Sequence, residues 1–171
     1  MSSDKRRRRI QIVNSNNREK IFFNKQNIPW NEVEIYLKQY IGQSFIVDAY
    51  QDEIFIASDF PDEYSESKYT KKLRGAVAKA KANAAQIIDM MIKNAVNRRW
   101  VENKALKHKE NASEGWYRYD TYFAIAVKGS NEDQVRLNRY RATLVVRKTP
   151  EGLFLYDVVD IKKEASTPLE S

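Results

Sequence analysis

Two turn-forming stretches cut the last third of this chain into three runs that alternate apolar and polar residues. Tyr122 to Val127 is the first run, Val135 to Arg147 the second and Leu153 to Ile161 the third. The segment KGSNEDQ separates the first pair. Thr149-Pro150-Glu151-Gly152, with proline at the first central position of a tight turn, separates the second. Connections this short join neighbouring antiparallel strands, because a parallel pair needs a crossover of about a dozen residues or more. An antiparallel β-meander is therefore expected. Its side chains alternate between two faces, and the apolar face needs cover.

Ser67 to about Asn97 is the expected cover. Leu73, Ala76, Val77, Ala80, Ala84, Ile87, Ile88 and Met91 repeat at helical spacing, while Lys72, Lys79, Lys93 and Arg98 fall off that stripe. The alanines at 76, 78, 80, 82, 84 and 85 favour helix and allow close approach to a sheet. A second helix or a broken extension is expected to about His108, followed by a loop over Asn111 to Gly115. Upstream, Trp30, Val33, Leu37 and Ile41 predict a helix that starts at Pro29 with help from Asn27 and stops at Gly42. In SFIVDAYQDEIFIAS, Phe45, Val47 and Ala49 mirror Ile54 and Ile56 across a polar turn, which predicts a hairpin. Helices that precede a meander imply an α+β fold, with N-terminal helices packed on an antiparallel sheet. Length allows one domain, residues 27–171, preceded by a basic arm over 1–26. Ile10 to Val13 and Ile21 to Phe23 are short-strand candidates within that arm.

Charge is unevenly placed. The net charge is +7, and residues 1–25 carry eight Lys/Arg against two acids. Residues 48–66 hold seven acids and no Lys or Arg, whereas residues 68–109 hold twelve Lys/Arg against Asp89 and Glu102. A concentrated basic run is the footprint of a polyanion, and equally that of a solvated helix face. The start MSSDKRRRRIQIV lacks the long apolar run of a secretory signal. No stretch approaches the ~18 apolar residues of a membrane span. The expectation is a cytoplasmic protein with no membrane partner.

Several chemistries are unsupported. One histidine and no cysteine disfavour transition-metal clusters. Asp59, Asp62 and Glu63 match no calcium-loop spacing. With five glycines the chain has no GxGxxG, no P-loop and no GxSxG elbow. No cofactor is expected. Metal-free acid–base work on RNA needs only a base, an acid and a phosphate clamp, since the 2′-hydroxyl is the nucleophile. The segment from Trp100 to Thr121 holds the residue types for that work. His108 titrates near neutrality, with Lys104, Lys107 and Lys109 beside it. Arg118, Arg139 and Arg141 suit bidentate phosphate contacts. Tyr119 and Thr121 can orient or donate, and Trp116 and Tyr117 can stack a base. Strand alternation would put Tyr117, Tyr119 and Thr121 on one face and Trp116, Arg118 and Asp120 on the other. The same residues serve plain nucleic-acid binding, with Arg6, Arg7, Arg8 and Arg9 as further contacts. RNA or DNA is the expected partner.

The runs SDFPDEY, KAKANA, ENKALKH, GWYRYDT and LYDVVDIKKE resemble a domain of phage and mobile-element proteins, the large polyvalent protein-associated domain. That domain is similar to the barnase–EndoU–colicin–RelE nucleases, which are metal-independent RNases. The resemblance covers roughly residues 41–169. It implies a barnase/EndoU-like fold, a bacterial host and RNA cleavage, with Lys107, His108, Arg118, Tyr119 and Thr121 as the matching positions. EndoU-type members use two histidines, and this chain has one. Lys107, Tyr119 or an acid would have to fill the second proton role, or the fold serves as a binding module. The alternative function is a non-catalytic anti-defence protein that binds a host immune nucleoprotein complex, such as a CRISPR effector.

Overall fold

A computed structural model of the protein describes residues 11–13, 27–102, 114–128 and 135–168. Its frame is a seven-stranded sheet: β1 (Gln11–Val13), β2 (Ser44–Val47), β3 (Asp52–Phe55), β4 (Val96–Glu102), β5 (Gly115–Lys128), β6 (Val135–Thr149) and β7 (Gly152–Pro168). The helices are α1 (Trp30–Leu37), α2 (Phe60–Glu66), α3 (Lys68–Lys72), α4 (Gly75–Ala84) and α5 (Ile88–Lys93), with 3-10 turns at Lys38–Tyr40 and Ala85–Ile87. The fold is α+β, as the order of the sequence patterns implies.

The three long strands β5, β6 and β7 form the expected antiparallel meander. The complete sheet is more than that meander. Along the path the order is β1-β5-β6-β7-β3-β2, with β4 also pairing β5. The outer edge of β5 is shared. β4 pairs antiparallel with its first part, from Gly115 to Asp120, and β1 pairs parallel with Phe123 to Ile125. At the other edge β3 joins the start of β7 in parallel, and the β2–β3 hairpin forms as expected.

Two helical expectations are corrected. The 67–97 stripe is three short helices and a 3-10 turn. Leu73 is extended between α3 and α4, and Gly75 starts α4 at a positive φ of 63°. The first part of the expected second helix is instead β4, whose Val96, Trp100 and Val101 suit a strand; the remainder of that expectation, to His108, lies outside the described residues. α1 starts at Trp30 with Pro29 at its N-cap position, and no side chain caps it. Of the N-terminal arm only β1 is described; Ile21 to Phe23 and the arginines lie outside the described residues.

The core lies between the helices and one sheet face. Tyr119, Phe123 and Ile125 of β5, Tyr140, Ala142, Leu144 and Val146 of β6, and Leu155, Val158 and Ile161 of β7 form one cluster with Val33, Leu37, Ile87, Ile88 and Met91. Ala80, Ala82, Ala84 and Ala85 have no exposed surface, so their small side chains do admit the backbone to close packing.

Candidate nucleic-acid interface

Strand alternation divides the residues of β5 between two environments. Tyr119 and Thr121 point into the core and have no exposed surface. The Thr121 hydroxyl donates to the Met91 carbonyl at 3.0 Å. The Tyr119 hydroxyl donates to Asp52 at 2.7 Å. Burial first, then the Asp52 carboxylate, pushes the Tyr119 phenol far above its usual range. Neither hydroxyl opens to solvent, so the catalytic roles expected of them have no access in this fold.

Tyr117, on the same face nearer the sheet end, belongs to a self-contained cluster. The Arg98 guanidinium lies 4.5 Å from the Tyr50 ring centre and 5.0 Å from that of Tyr117. One of its nitrogens donates to both carboxylate oxygens of Asp52, at 2.8 and 2.9 Å. Trp100 packs edge-to-face on Tyr117 with centroids 4.9 Å apart. The charge of Arg98 is already answered by Asp52, so this cluster is a brace between β3, β4 and β5 rather than a phosphate clamp.

The other face of the meander carries a different set. Register places Trp116 beside Arg147, Arg118 beside Val145, Asp120 beside Thr143, Tyr122 beside Arg141 and Ala124 beside Arg139. On β7, Phe154 follows Arg147, Lys162 follows Arg141 and Ala165 follows Arg139. The core cluster contains none of these residues. Four sequence-predicted residues, Trp116, Arg118, Arg139 and Arg141, therefore share the sheet face away from the core.

The charges on this face differ in how firmly they are held. Arg147 makes a two-pronged bond to Asp59, the residue before α2, and lies 5.1 Å from the Phe154 ring centre. With 9% exposure it is a structural ion pair. Arg118 sits 3.8 Å from Asp160, with 40% and 59% of the two side chains exposed. Arg139 donates to the Thr167 hydroxyl at 3.1 Å. Arg141 and Lys162 are exposed and have no ion-pair partner among the described residues. Trp116 packs edge-to-face on Tyr156, with centroids 5.0 Å apart.

The basic run of residues 68–109 does not form one face. Lys81 is buried on Asp157, Arg98 binds Asp52, Arg99 binds Asp120 and Lys71 lies near Glu66. The acidic run of 48–66 is likewise spent in part on the protein's own cations, because Asp52 and Asp59 neutralise Arg98 and Arg147. His108, Lys107, Lys104 and Arg6 to Arg9 lie outside the described residues. The first three belong to the connection between β4 and β5, which pair as far as Glu102 and Gly115.

Tyr122, Tyr156 and Lys162 join this face without having been singled out in the sequence. Tyr122 was legible, since it continues the Trp116, Arg118, Asp120 alternation. Lys162 was hidden because the apolar alternation of β7 ends at Ile161. Among the described residues no group of three or more His, Cys, Asp or Glu side chains could hold a metal, and no helix is long and apolar enough to cross a membrane. No protein-family model, curated protein or solved structure matches the chain.

Proposed function

We propose that the protein binds nucleic acid on the sheet face that carries Trp116, Arg118, Arg139, Arg141 and Lys162. The observation that carries this reading is the convergence of those cations on adjacent strands, away from the helices. Phosphates repeat along a nucleic acid, and adjacent arginines at strand spacing suit a repeating anion. An exposed pair such as Arg118–Asp160 is worth about 1 kcal/mol or less, so a phosphate can displace the carboxylate. The likeness to phage and mobile-element domains, and the helices that precede a long meander, support an RNase-like ancestry. The parallel additions of β1 and β3 are features to set against that likeness.

The test is fluorescence anisotropy with labelled RNA and DNA across a salt series. Affinity should fall by roughly 0.7–0.9 log units per log unit of salt for each phosphate neutralised. The double variant Arg118→Glu/Arg141→Glu should lose most of the binding while keeping its thermal transition. A flat salt response, or full binding by the folded double variant, would overturn the proposal. Incubation of the same RNA with EDTA separates binding from chemistry. Cleavage by the wild type that disappears in His108→Ala would establish a nuclease instead of a binding module.

A further inference from the structure

We infer that the nucleic acid on this face is single-stranded, and that Tyr122 is the residue on which an unpaired base stacks. This rests on the binding face proposed above and adds the form of the ligand to it.

Tyr122, Arg141 and Lys162 are consecutive cross-strand partners on β5, β6 and β7. Directly opposed residues of antiparallel strands have Cβ atoms about 4.5–5.5 Å apart. The row therefore sets one aromatic ring beside two cations within about 10 Å. Its same-face neighbours along β5 are small. Along β5 the residues on the same face are Asp120 and Ala124, and the next row reads Ala124, Arg139, Ala165. Neither an aspartate nor an alanine is tall enough to cover a phenol ring. Tyr122 is only partly buried, so it keeps some surface open to solvent.

A duplex hides the faces of its bases in its own stack and offers a flat sheet only phosphates and groove edges. An aromatic ring gains from the ligand only when a base is unpaired and can lie on it. Charge alone would serve a duplex as well; a ring placed among the charges does not. The Trp116–Tyr156 pair, six residues away along β5 and hence about 20 Å distant, provides a second aromatic position for a strand that runs along the sheet.

The experiment uses three labelled DNA probes: a mixed-sequence single strand, the duplex made from it, and the same strand with its bases removed. The wild type should prefer the intact single strand to both other probes. Tyr122→Ala should weaken single-strand binding roughly five- to 100-fold, the range that one stacked base supplies. Tyr122→Phe should retain binding. The abasic probe carries the same phosphates and needs no variant, so it stays informative if Tyr122→Ala does not fold. Equal affinity for intact and abasic strands, or for strand and duplex, overturns the inference. If those probes bind equally but Arg118→Glu/Arg141→Glu abolishes binding, the nucleic-acid face survives and only the single-strand assignment falls. If none of the three probes binds and labelled RNA does not bind either, both fall.

Discussion

Lys81 reaches Asp157 at 2.7 Å, and the two side chains are 0% and 4% exposed. The ammonium also donates to the Thr70 hydroxyl at 2.6 Å and lies 4.5 and 5.1 Å from the ring centres of Tyr64 and Tyr69. A bulge in β7, between the partners of Val145 and Val146, accommodates Asp157 at this point. Burial pushes the Asp157 carboxyl up and the Lys81 ammonium down, against the attraction of each for the other. Desolvation on this scale makes the pair a fastening between α4 and β7 more than a large net source of stability.

Removing one partner leaves the other charged and buried. Lys81→Met should therefore cost about 3–5 kcal/mol in urea unfolding. The double variant Lys81→Met/Asp157→Leu should recover much of that loss, because no lone charge remains. Additive losses in the double variant would contradict this account.

Alkaline stability should depend on Tyr156. Burial, then the charge of Glu63 and the hydrogen bond to it, pushes this phenol up to about 12 from an ordinary 10. The folded state therefore holds the proton more tightly than the unfolded state. The stability this contributes is fully present below pH 10 and is lost as pH rises toward 12. Because the ring is partly exposed, the loss should be only about 1–2 kcal/mol. Unfolding free energies measured across this window should fall for the wild type and stay flatter for Tyr156→Phe.

Gly115 is where β5 begins against β4. Its φ is +142°, and an added Cβ would lie 2.6 Å from the Trp100 ring and 2.8 Å from the Val101 carbonyl oxygen. Gly115→Ala should destabilise the protein by more than about 1 kcal/mol. It should also shift the tryptophan emission, because the Trp100 ring must move off Tyr117. Trp100→Phe in the alanine background should restore part of the stability, since the smaller ring leaves room. No recovery would show that backbone strain alone sets the cost.

Much of this architecture was legible because period and turn chemistry are local. Pro150 and Gly152 mark the β6–β7 turn, and the alternation of Tyr117 to Thr121 announces which hydroxyls share a face, though not that this face is the core. What stayed hidden is set by tertiary contacts. The stripe from Leu73 to Met91 does not reveal that the chain breaks at Leu73–Arg74 and again near Ala85. VNRRWVE reads as a charged helix extension until Gly115 to Asp120 pairs with it. Parallel pairing of β1 and β3 has no local signature, since it depends on where distant strands leave room. The candidate face was half legible. Trp116, Arg118, Arg139 and Arg141 stand out by their types, and Lys104, Lys107 and His108 lie outside the described residues.

The charged and aromatic parts of the face can be told apart by salt. A cation that contacts a phosphate releases counterions, so its removal lowers the salt slope; a ring that stacks a base releases none. Arg141→Gln should weaken single-strand binding and reduce the slope of log affinity against log salt by about 1. Tyr122→Ala should weaken binding at every salt concentration and leave the slope where it was. The two curves should thus converge with the wild type differently. Arg141→Gln approaches it at high salt, where the phosphate contact is already lost, and Tyr122→Ala runs parallel to it throughout. Parallel displacement by Arg141→Gln would mean that its guanidinium only shapes the sheet surface, and the assignment of Arg141 to the phosphate backbone would fail.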